Sequence, residues 1–307
     1  MASASSSFLS SLASKLYIAH PQPSLAPNGQ PFTQLYQHLP LLQPLYTNWE
    51  KSFQATPYTA FALNTWPTLP LTLIALYGAM LVVVPRLMKD RKALDLKKPL
   101  ALWNLALSLF SFCGMMRTVP HLLHNIATMS FRDTICTDPT TAYGEGACGL
   151  WVMLFIFSKV PELVDTAFIV FRKSKLIFLH WYHHITVLLF CWHSYAYSSS
   201  TGLYFVAMNY SVHAIMYGYY FLMAIKAWPK WIPASIITVA QISQMIVGTT
   251  ICVMSYLYLK DDQPCAVQPV NVLAGGLMYG SYLYLFSEFF VKRFILSKGK
   301  ASKAKSL

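Results

Sequence analysis

Long apolar runs recur along this chain from about residue 67 onwards, each near the roughly 20 residues that a helix needs to cross a lipid bilayer. Short polar segments separate the runs and carry most of the Lys and Arg side chains. A segment inside lipid must satisfy its backbone hydrogen bonds internally, so such runs predict helices. The pattern predicts an all-α polytopic membrane protein with seven transmembrane helices, near 67-87, 99-118, 148-171, 177-197, 201-225, 231-258 and 270-291.

One part of this pattern allows two interpretations. The end of the second run, over 110-129, contains polar and helix-breaking residues, and an interfacial or lumenal segment is the alternative to a membrane span there. The residues concerned are Arg117, Pro120, His121 and His124.

Residues 1-65 differ in composition, being rich in Ser, Pro, Gln and aromatic side chains without a sustained period. They predict a loosely ordered N-terminal lumenal segment. The apolar stretch Phe8 to Leu12 is too short, and its start too weakly basic, for a cleaved signal peptide. The seven-helix domain is expected over 66-295, followed by a basic cytosolic tail over 296-307.

Composition supports a membrane protein, since 55% of the 307 residues are hydrophobic and 11% are charged. A soluble protein of this length has a more polar composition. The net charge of +12 raises nucleic acid as a partner, but the Lys and Arg residues cluster between apolar runs and not on a separate basic domain. A protein that meets the membrane surface fits this distribution better.

The basic clusters also predict orientation, because Lys and Arg are enriched in cytosolic loops. Seventeen of the 23 Lys and Arg residues fall in alternate loops and the tail, at 86-98, 172-175, 226-230 and 292-305. The C-terminus is therefore expected in the cytosol and the N-terminus in a lumen. Lys303 and Lys305 resemble the di-lysine retrieval signals of endoplasmic reticulum membrane proteins, and a basic tail near anionic lipid is the alternative.

The same topology sorts the cysteines. Cys136, Cys148 and Cys265 fall in or near predicted lumenal segments, where an oxidising compartment permits disulfides. Our hypothesis is a disulfide between Cys136 and Cys265, with Cys148 as a small buried residue. The other three cysteines lie inside predicted helices.

Polar side chains inside the helices give the candidate site. His180, His183 and His184 stand at i, i+3 and i+4, on one side of a helix in a run without formal charge. An ionisable group at membrane depth is first read as functional. With about 1.5 Å of rise per residue, the other polar groups fall in the same cytosolic half as these histidines, which predicts one buried chamber open to the cytosol. Those groups are Lys159, Glu162, Asp165, His213, Gln241 and Gln244.

Each group also has an ordinary structural explanation. Lys159 and Glu162 are spaced to neutralise each other within a helix, and Asp165 lies off their stripe, where it would hold a histidine or a tyrosine hydroxyl. The stripe of His213, Met216, Tyr217 and Tyr220 fits packing as well as chemistry. Gln241 and Gln244 fit interhelical hydrogen bonding.

Clustered histidines suggest two kinds of chemistry. Membrane desaturases and hydroxylases hold two irons with several histidine boxes, but this chain has one H-x-x-H-H box, and only five of its nine histidines are expected near the chamber. A single metal held by His180, His183, His184 and His213 is a further alternative. Otherwise, a neutral imidazole can attack a thioester and pass on the acyl group without a metal. A seven-helix receptor or transporter that binds lipid without chemistry also stays open.

Four motifs resemble the signature boxes of the ELO family of fatty acid elongases, in the family's order. They are Lys159-Val-Pro-Glu162-Leu-Val-Asp165-Thr166, His180-Trp-Tyr-His183-His184, Asn209-Tyr-Ser-Val-His213-Ala-Ile-Met216-Tyr217-Gly-Tyr219-Tyr220 and Thr238-Val-Ala-Gln241-Ile-Ser-Gln244. The resemblance covers roughly residues 65-300. The sequence from Met208 to His213 resembles that of the family branch acting on saturated and monounsaturated acyl-CoAs.

This resemblance implies the condensation of a long-chain acyl-CoA with malonyl-CoA, giving a 3-ketoacyl-CoA two carbons longer, CO2 and CoA. It implies six helices around a narrow acyl tunnel closed at its lumenal end, in the endoplasmic reticulum, and no cofactor beyond the two substrates. The expected partners are membrane lipid, a second copy of the chain, and the 3-ketoacyl reductase, dehydratase and enoyl reductase of the elongation cycle.

The resemblance also assigns roles. His183 would accept the acyl group, His180 and His184 would orient it or relay protons, and His213 would polarise the thioester or enolate. The chamber lining would comprise Asn209, Tyr217, Tyr220, Gln241 and Gln244, positioned by Lys159, Glu162 and Asp165.

Overall fold

The computed structural model describes residues 16–229 and 231–296, and over that part of the chain it is mostly helical. The predictions for Phe8 to Leu12 and for Lys303 and Lys305 lie outside the described residues. A two-residue antiparallel pair, β1 (Ser24–Leu25) and β2 (Pro31–Phe32), aligns Ser24 with Phe32. The helices are α1 (Leu35–His38), α2 (Asn48–Lys51), α3 (Thr56–Thr65), α4 (Thr68–Leu87), α5 (Lys97–Thr128), α6 (Phe131–Cys136), α7 (Gly146–Ser158), α8 (Val164–Phe171), α9 (Phe178–Ala196), α10 (Gly202–Ala224), α11 (Ser235–Tyr258) and α12 (Pro269–Phe290).

Shorter helical turns complete the described chain. Two are 3-10 turns, Pro40–Leu45 and Pro161–Leu163, and two are π-helical, Thr140–Gly144 and Val291–Leu296.

In the part of the chain that the structure describes, four helical segments are long and apolar enough to cross a membrane: Thr68–Leu87, Lys97–Thr128, Gly146–Phe171 and Ser235–Tyr258. The chain is a multi-pass membrane protein. The other three predicted spans coincide with α9, α10 and α12, which are long enough but carry histidine, asparagine and tyrosine side chains that lower their hydropathy.

Two predicted spans differ in detail from the structure. The run at 148-171 is interrupted after Ser158 by the 3-10 turn Pro161–Leu163, because proline has no backbone N–H to continue an α-helix. Conversely, the run expected to end near residue 118 continues as one helix to Thr128, with Pro120 inside it. Sequence pattern alone left that stretch open.

Three helix ends share one stop signal. Lys173, Ser198 and Lys226 adopt positive φ values of 53°, 47° and 61° directly after α8, α9 and α10. Each is followed by a backbone N–H that donates to a carbonyl five residues earlier, as in Ser199 to Ser194 at 2.9 Å. Such left-handed caps satisfy the last carbonyls of a helix and turn the chain sharply.

Small residues allow the close approach of two helix pairs. A Cβ on Gly114 of α5 would lie 2.3 Å from the ring of Tyr210 on α10, and a Cβ on Gly248 of α11 would lie 2.3 Å from the ring of Tyr279 on α12. Small residues at helix interfaces are how membrane bundles gain packing contacts.

The basic loops meet at one end of the bundle. The backbone N–H of Leu94 donates to the carbonyl of Phe171 at 3.0 Å, and Lys173 Nζ donates to the carbonyl of Lys89 at 3.0 Å. Two of the four segments that the charge pattern assigned to one membrane face, 86-98 and 172-175, are therefore in contact.

The opposite end is closed by residues that follow α5 and by the described part of the N-terminal segment. A disulfide joins Cys136 to Cys265, Cys148 is a buried free thiol, and Arg132 donates to the carbonyls of Gln263 and Pro264 at 3.0 and 3.2 Å. The disulfide pair is the one proposed from the sequence.

Residues 16–65 pack on this same end of the bundle. The α2 helix begins with a capping box, in which Thr47 and Glu50 each bind the other's backbone N–H. The buried Glu50 also accepts hydrogen bonds from Arg117 at 2.7 Å and from the Trp151 indole at 3.0 Å. These contacts join a segment for which the sequence suggested only loose order to α5 and α7.

Candidate active site

A cavity of about 480 Å³ lies among α9, α10, α11 and α12, the 3-10 turn Pro161–Leu163 and the start of α8. Its lining includes eleven of the twelve residues predicted for catalysis or substrate binding: Glu162, Asp165, His180, His183, His184, Asn209, His213, Tyr217, Tyr220, Gln241 and Gln244. Lys159 is buried beside the cavity. The polar groups that the sequence placed at one depth thus belong to one chamber.

The three histidines of α9 form a contiguous cluster. The ring centroids of His180 and His184 are 4.5 Å apart, and those of His183 and His184 are 5.5 Å apart. On the far side of His183, the Tyr282 ring lies 5.2 Å away, and its hydroxyl donates to the His183 carbonyl at 3.3 Å. The same hydroxyl forms a hydrogen bond with the Thr186 hydroxyl, about one turn after His183 on α9. Tyr282 of α12 thus packs against the wall that carries His183.

His180 has a hydrogen-bond partner outside its own helix. Its Nε2 lies 2.9 Å from Oγ1 of Thr166, which in turn lies 2.8 Å from the hydroxyl of Tyr77 on α4. Thr166 belongs to the first motif, on α8. The interaction therefore connects the first two motifs and a helix that neither motif includes.

One face of α10 lines the cavity with His213, Met216, Tyr217 and Tyr220. The rings of His213 and Tyr217 meet edge to face with centroids 5.3 Å apart. Met216 receives a hydrogen bond on Sδ from Gln241 Nε2 at 3.3 Å, which links α10 to α11. The stripe of residues predicted from the sequence therefore lines the cavity and also contacts α11.

Asp165 is held by two donors. The Tyr217 hydroxyl donates to Oδ2 at 2.6 Å, and the Trp103 indole of α5 donates to Oδ1 at 2.5 Å. A tyrosine hydroxyl was one of the two partners that the sequence suggested for this carboxylate. The second donor, Trp103, was not expected.

Lys159 and Glu162 form the i, i+3 ion pair that their spacing indicated, but the pair lies at the break between α7 and α8 and not within one continuous helix. Lys159 Nζ lies 2.7 Å from Glu162 Oε1, and the two residues are 2% and 3% exposed. Ser158 donates to the same oxygen at 3.0 Å, and Lys159 reaches Asn209 Oδ1 at 3.4 Å. The pair therefore connects the break between α7 and α8 to α10. Glu162 lines the cavity, whereas Lys159 is buried beside it.

The cavity extends to the end of the bundle where the basic loops meet. Its lining there comes from Ile177 and Ala234, which directly precede α9 and α11, and from Arg293 and Phe294 in the π-helical turn after α12. In sequence, these residues adjoin the basic segments at 172-175, 226-230 and 292-305. An anionic molecule approaching from that end meets positive charge before it reaches the histidines.

The histidines do not converge as metal ligands. Across residues 16–229 and 231–296, no group of three or more His, Cys, Asp or Glu side chains has an arrangement that could hold a metal ion. The four histidines that the sequence offered as ligands of a single metal all line the cavity.

Comparison with known proteins gives a family match. A profile of the family described as ELO: GNS1/SUR4 family matches residues 62–302 of this chain. The chain belongs to the ELO family. The matched region includes all four motifs and every residue that lines the chamber.

Individual relatives give the same result. The chain is 38% identical over 276 residues to very long chain fatty acid elongase 6 of Gallus gallus, covering 90% of this chain and 95% of the relative. It is 38% identical over 277 residues to fatty acid elongase 3 of Trypanosoma cruzi (strain CL Brener), covering 81% and 91%. The Drosophila melanogaster very long chain fatty acid elongase 6 is 41% identical over 218 residues, covering 70% and 69%.

The site of this ELO chain contains residues that sequence reasoning missed. Tyr77 and Trp103 are single polar-tipped aromatics in otherwise apolar runs, so no periodic pattern singled them out. The one available signal was that a buried Tyr or Trp needs a hydrogen-bond partner. Tyr219, Met245, Phe286 and Phe289 also line the cavity without having been predicted.

Proposed function

We propose that the histidine-lined chamber is where this chain condenses a long-chain acyl-CoA with malonyl-CoA. As a member of the ELO family with relatives named fatty acid elongases, the chain is a condensing enzyme of fatty acid elongation, a 3-ketoacyl-CoA synthase. The observation that carries the assignment to the chamber is that residues of all four motifs line a single cavity. The basic end of that cavity suits the phosphates of CoA, and its apolar lining suits an acyl chain.

The first step of the proposed reaction is acyl transfer to His183. A ring nitrogen attacks the thioester carbon, the C–N bond forms, the C–S bond breaks, and the CoA sulfur leaves with the proton that the acylated ring gives up. Two easier steps then replace one difficult condensation. The support for His183 is its place in the cluster, between His184 and the ring of Tyr282.

In the second step, malonyl-CoA loses CO2 and the resulting enolate attacks the acyl carbon. The new C–C bond forms as the C–N bond to His183 breaks, and the released ring takes up a proton. His213, across the same cavity, would donate to the enolate oxygen, because donors fixed where negative charge develops lower the barrier. His180 and His184 would orient His183 or relay its proton.

The remaining residues would shape and hold the chamber. Asn209, Tyr217, Tyr220, Gln241 and Gln244 would contact the two substrates along the lining. Asp165, Lys159 and Glu162 would keep that lining in place through the hydrogen bonds that tie α7 and α8 to α10.

We propose that no metal takes part and that the two thioesters are the only small molecules required. The sequence supports this proposal, because it contains a single H-x-x-H-H box where a di-iron site needs several. Stoichiometric iron in the purified, active protein, lost together with activity on chelation, would instead favour oxidative lipid chemistry.

We also propose seven spans, with α9, α10 and α12 crossing the membrane and six helices surrounding an acyl tunnel closed at the lumenal end. The basic loops would face the cytosol and residues 16–65 the lumen of the endoplasmic reticulum. The contacts between loops 88–96 and 171–173 support a common face. Protease access to a C-terminal tag in sealed microsomes, with protection of an N-terminal tag, tests the orientation.

The sequence also suggests a substrate class and partner proteins. The sequence around Asn209 and His213 favours saturated or monounsaturated acyl-CoAs as substrates of this lipid-embedded enzyme. A homodimer, and association with the 3-ketoacyl reductase, dehydratase and enoyl reductase, would pass the product on.

The decisive assay incubates the purified chain with radiolabelled malonyl-CoA and a panel of acyl-CoAs, without reductant so that the 3-keto product accumulates. Labelled 3-ketoacyl-CoA with the wild type, and none with His183→Ala, is the expected result. Binding of acyl-CoA with no labelled product from any chain length would leave a lipid-binding protein without chemistry. Tyr284→Phe, on a largely exposed side chain, is the matched control.

A further inference from the structure

A line of hydrogen bonds reaches the chamber from a helix that carries none of the motifs. The Tyr77 hydroxyl of α4 lies 2.8 Å from Thr166 Oγ1, and Thr166 Oγ1 lies 2.9 Å from His180 Nε2. Tyr77 is 4% exposed and Thr166 is fully buried. Water therefore does not compete for these two hydroxyls, and their protons must be shared within this group.

The direction of the hydrogen bonds follows from the number of protons. Thr166 has one hydroxyl proton, and the Tyr77 hydroxyl has one. If Thr166 donated to Tyr77, the Tyr77 proton would need another acceptor, and within residues 16–229 and 231–296 its hydrogen-bond partner is Thr166. Both protons are used only if Tyr77 donates to Thr166 and Thr166 donates to Nε2 of His180.

An imidazole nitrogen that accepts a hydrogen bond carries no proton. Neutral His180 therefore carries its proton on Nδ1, because one ring nitrogen donates when the other accepts. With Nε2 occupied by Thr166, Nδ1–H is the group that His180 can offer to the chamber. The neighbouring ring in the cluster is His184, with its centroid 4.5 Å away.

We propose that Tyr77 is a positioning residue of the reaction, which through Thr166 holds His180 as the tautomer protonated on Nδ1; this inference rests on the proposed function. His180 then presents a fixed donor to the substrates and to the other histidines. Of the two roles proposed for His180, this arrangement favours orientation over proton relay. A donor oriented before the substrate binds stabilises negative charge as it develops, without reorganisation during the reaction. Thr166 links the two and is the second positioning residue.

Steady-state kinetics of three variants test the hydrogen bonds from Tyr77 through Thr166 to His180. Tyr77→Phe frees Thr166 to reverse its hydroxyl, and Thr166→Val removes the partner of His180. Both should lower kcat about five- to tenfold with KM unchanged, the effect expected from one lost hydrogen bond. Thr166→Ser keeps the hydroxyl and should restore kcat to within about twofold of wild type.

The matched control is Tyr210→Phe. Tyr210 is also buried, but its hydroxyl donates to the Trp151 carbonyl at 2.8 Å, away from the histidine cluster. Its loss should leave kcat at the wild-type value. An equal fall of kcat in Tyr210→Phe and Tyr77→Phe would mean that any lost buried hydroxyl has this effect, and would overturn the positioning role.

The tautomer itself can be measured by nitrogen NMR of protein labelled with ¹⁵N-histidine, with the His180 signals assigned by their disappearance in His180→Asn. We expect a protonated Nδ1 and an unprotonated Nε2 in the wild type, and a mixture of both tautomers in Tyr77→Phe. A protonated Nε2, or the same signals in Thr166→Val as in the wild type, would overturn the inference. If Tyr77→Phe does not fold, the Thr166→Val and Thr166→Ser pair decides.

This readout separates the inference from the function it rests on. A wild-type protein that forms no 3-ketoacyl-CoA refutes the proposed function even if the tautomer is as expected. An active enzyme whose His180 is protonated on Nε2 refutes only the role of Tyr77.

Discussion

The Tyr217 hydroxyl donates a 2.6 Å hydrogen bond to Oδ2 of Asp165, which ties α10 to α8 directly beside the ring of His213. The other carboxylate oxygen accepts from Trp103 on α5, so three helices meet at one side chain. Because the ring of Tyr217 also packs edge to face on His213, movement of this contact would move the part of the cavity wall that carries His213.

Removal of the Tyr217 hydroxyl should therefore affect both stability and rate. Tyr217→Phe leaves a buried carboxylate oxygen without its donor, at a cost of about 1–3 kcal/mol. We expect a lower thermal unfolding midpoint and a lower kcat in the radiolabelled condensation assay. Trp103→Phe should lower the midpoint similarly. If Tyr217→Phe matched the wild type in both measurements, Asp165 would not depend on this bond.

The Lys159–Glu162 pair predicts an asymmetry between single and double variants. Lys159→Met leaves Glu162 buried without its cation and should destabilise the fold by about 3–5 kcal/mol. The double variant Lys159→Met, Glu162→Gln removes both charges and should recover part of that loss. Unfolding in detergent, followed by thermal midpoint, makes the comparison. Equal midpoints for Lys159→Met and the wild type would show that the pair contributes no stability.

Glu50 predicts a pH dependence at the end of the bundle opposite the basic loops. Burial alone would raise the pKa of Glu50, but hydrogen bonds from Arg117, Thr47 and Trp151 outweigh it and lower that pKa below its ordinary value. The carboxylate therefore contributes stability that is fully present above its pKa in the unfolded chain, about 4.3. That contribution is lost as the pH falls through the lower pKa of the folded state.

Glu50→Gln should remove this contribution, so its difference from the wild type in unfolding midpoint should shrink as the pH falls below about 4. Thr56→Ala, at the start of α3, is a control in the same segment. A difference that stays constant from pH 7 to pH 3 would contradict a role for the Glu50 charge.

The disulfide between Cys136 and Cys265 closes a long loop, since the two cysteines are 129 positions apart in the sequence. In the chain-entropy account, such a bond stabilises the fold by about 4–5 kcal/mol. Cys136→Ser and Cys265→Ser should each lower the unfolding midpoint and abolish the mobility shift that reduction causes on a gel. Cys148→Ala should keep the shift. A shift that survives Cys265→Ser would assign the bond to other cysteines.

The site was more predictable from the sequence than the fold around it, for a physical reason. A histidine, carboxylate or glutamine in an apolar helix is costly, so His183, His213, Asp165 and Gln244 contrast with their neighbours. Each had an ordinary structural explanation, and it was their shared depth that predicted one site. No such contrast marks Tyr77 or Trp103, whose rings are as apolar as their neighbours and whose single polar atoms have distant partners.

Local breaks and terminal packing were less predictable. Pro161 was visible in the sequence, but whether a proline kinks a helix, as here, or is accommodated, as Pro120 is in α5, depends on packing from other helices. The contact of Glu50 with Arg117 joins residues 67 positions apart, and no periodic pattern reports such a pairing.

The central claim is that His183 takes the acyl group from acyl-CoA within the chamber. Intact-mass spectrometry of the purified protein, after incubation with acyl-CoA and no malonyl-CoA, tests it most directly. We expect a mass gain equal to one acyl group, absent in His183→Ala, present in Tyr284→Phe, and lost when malonyl-CoA is added. Formation of 3-ketoacyl-CoA by a protein that never carries that mass would contradict it and indicate condensation in one step.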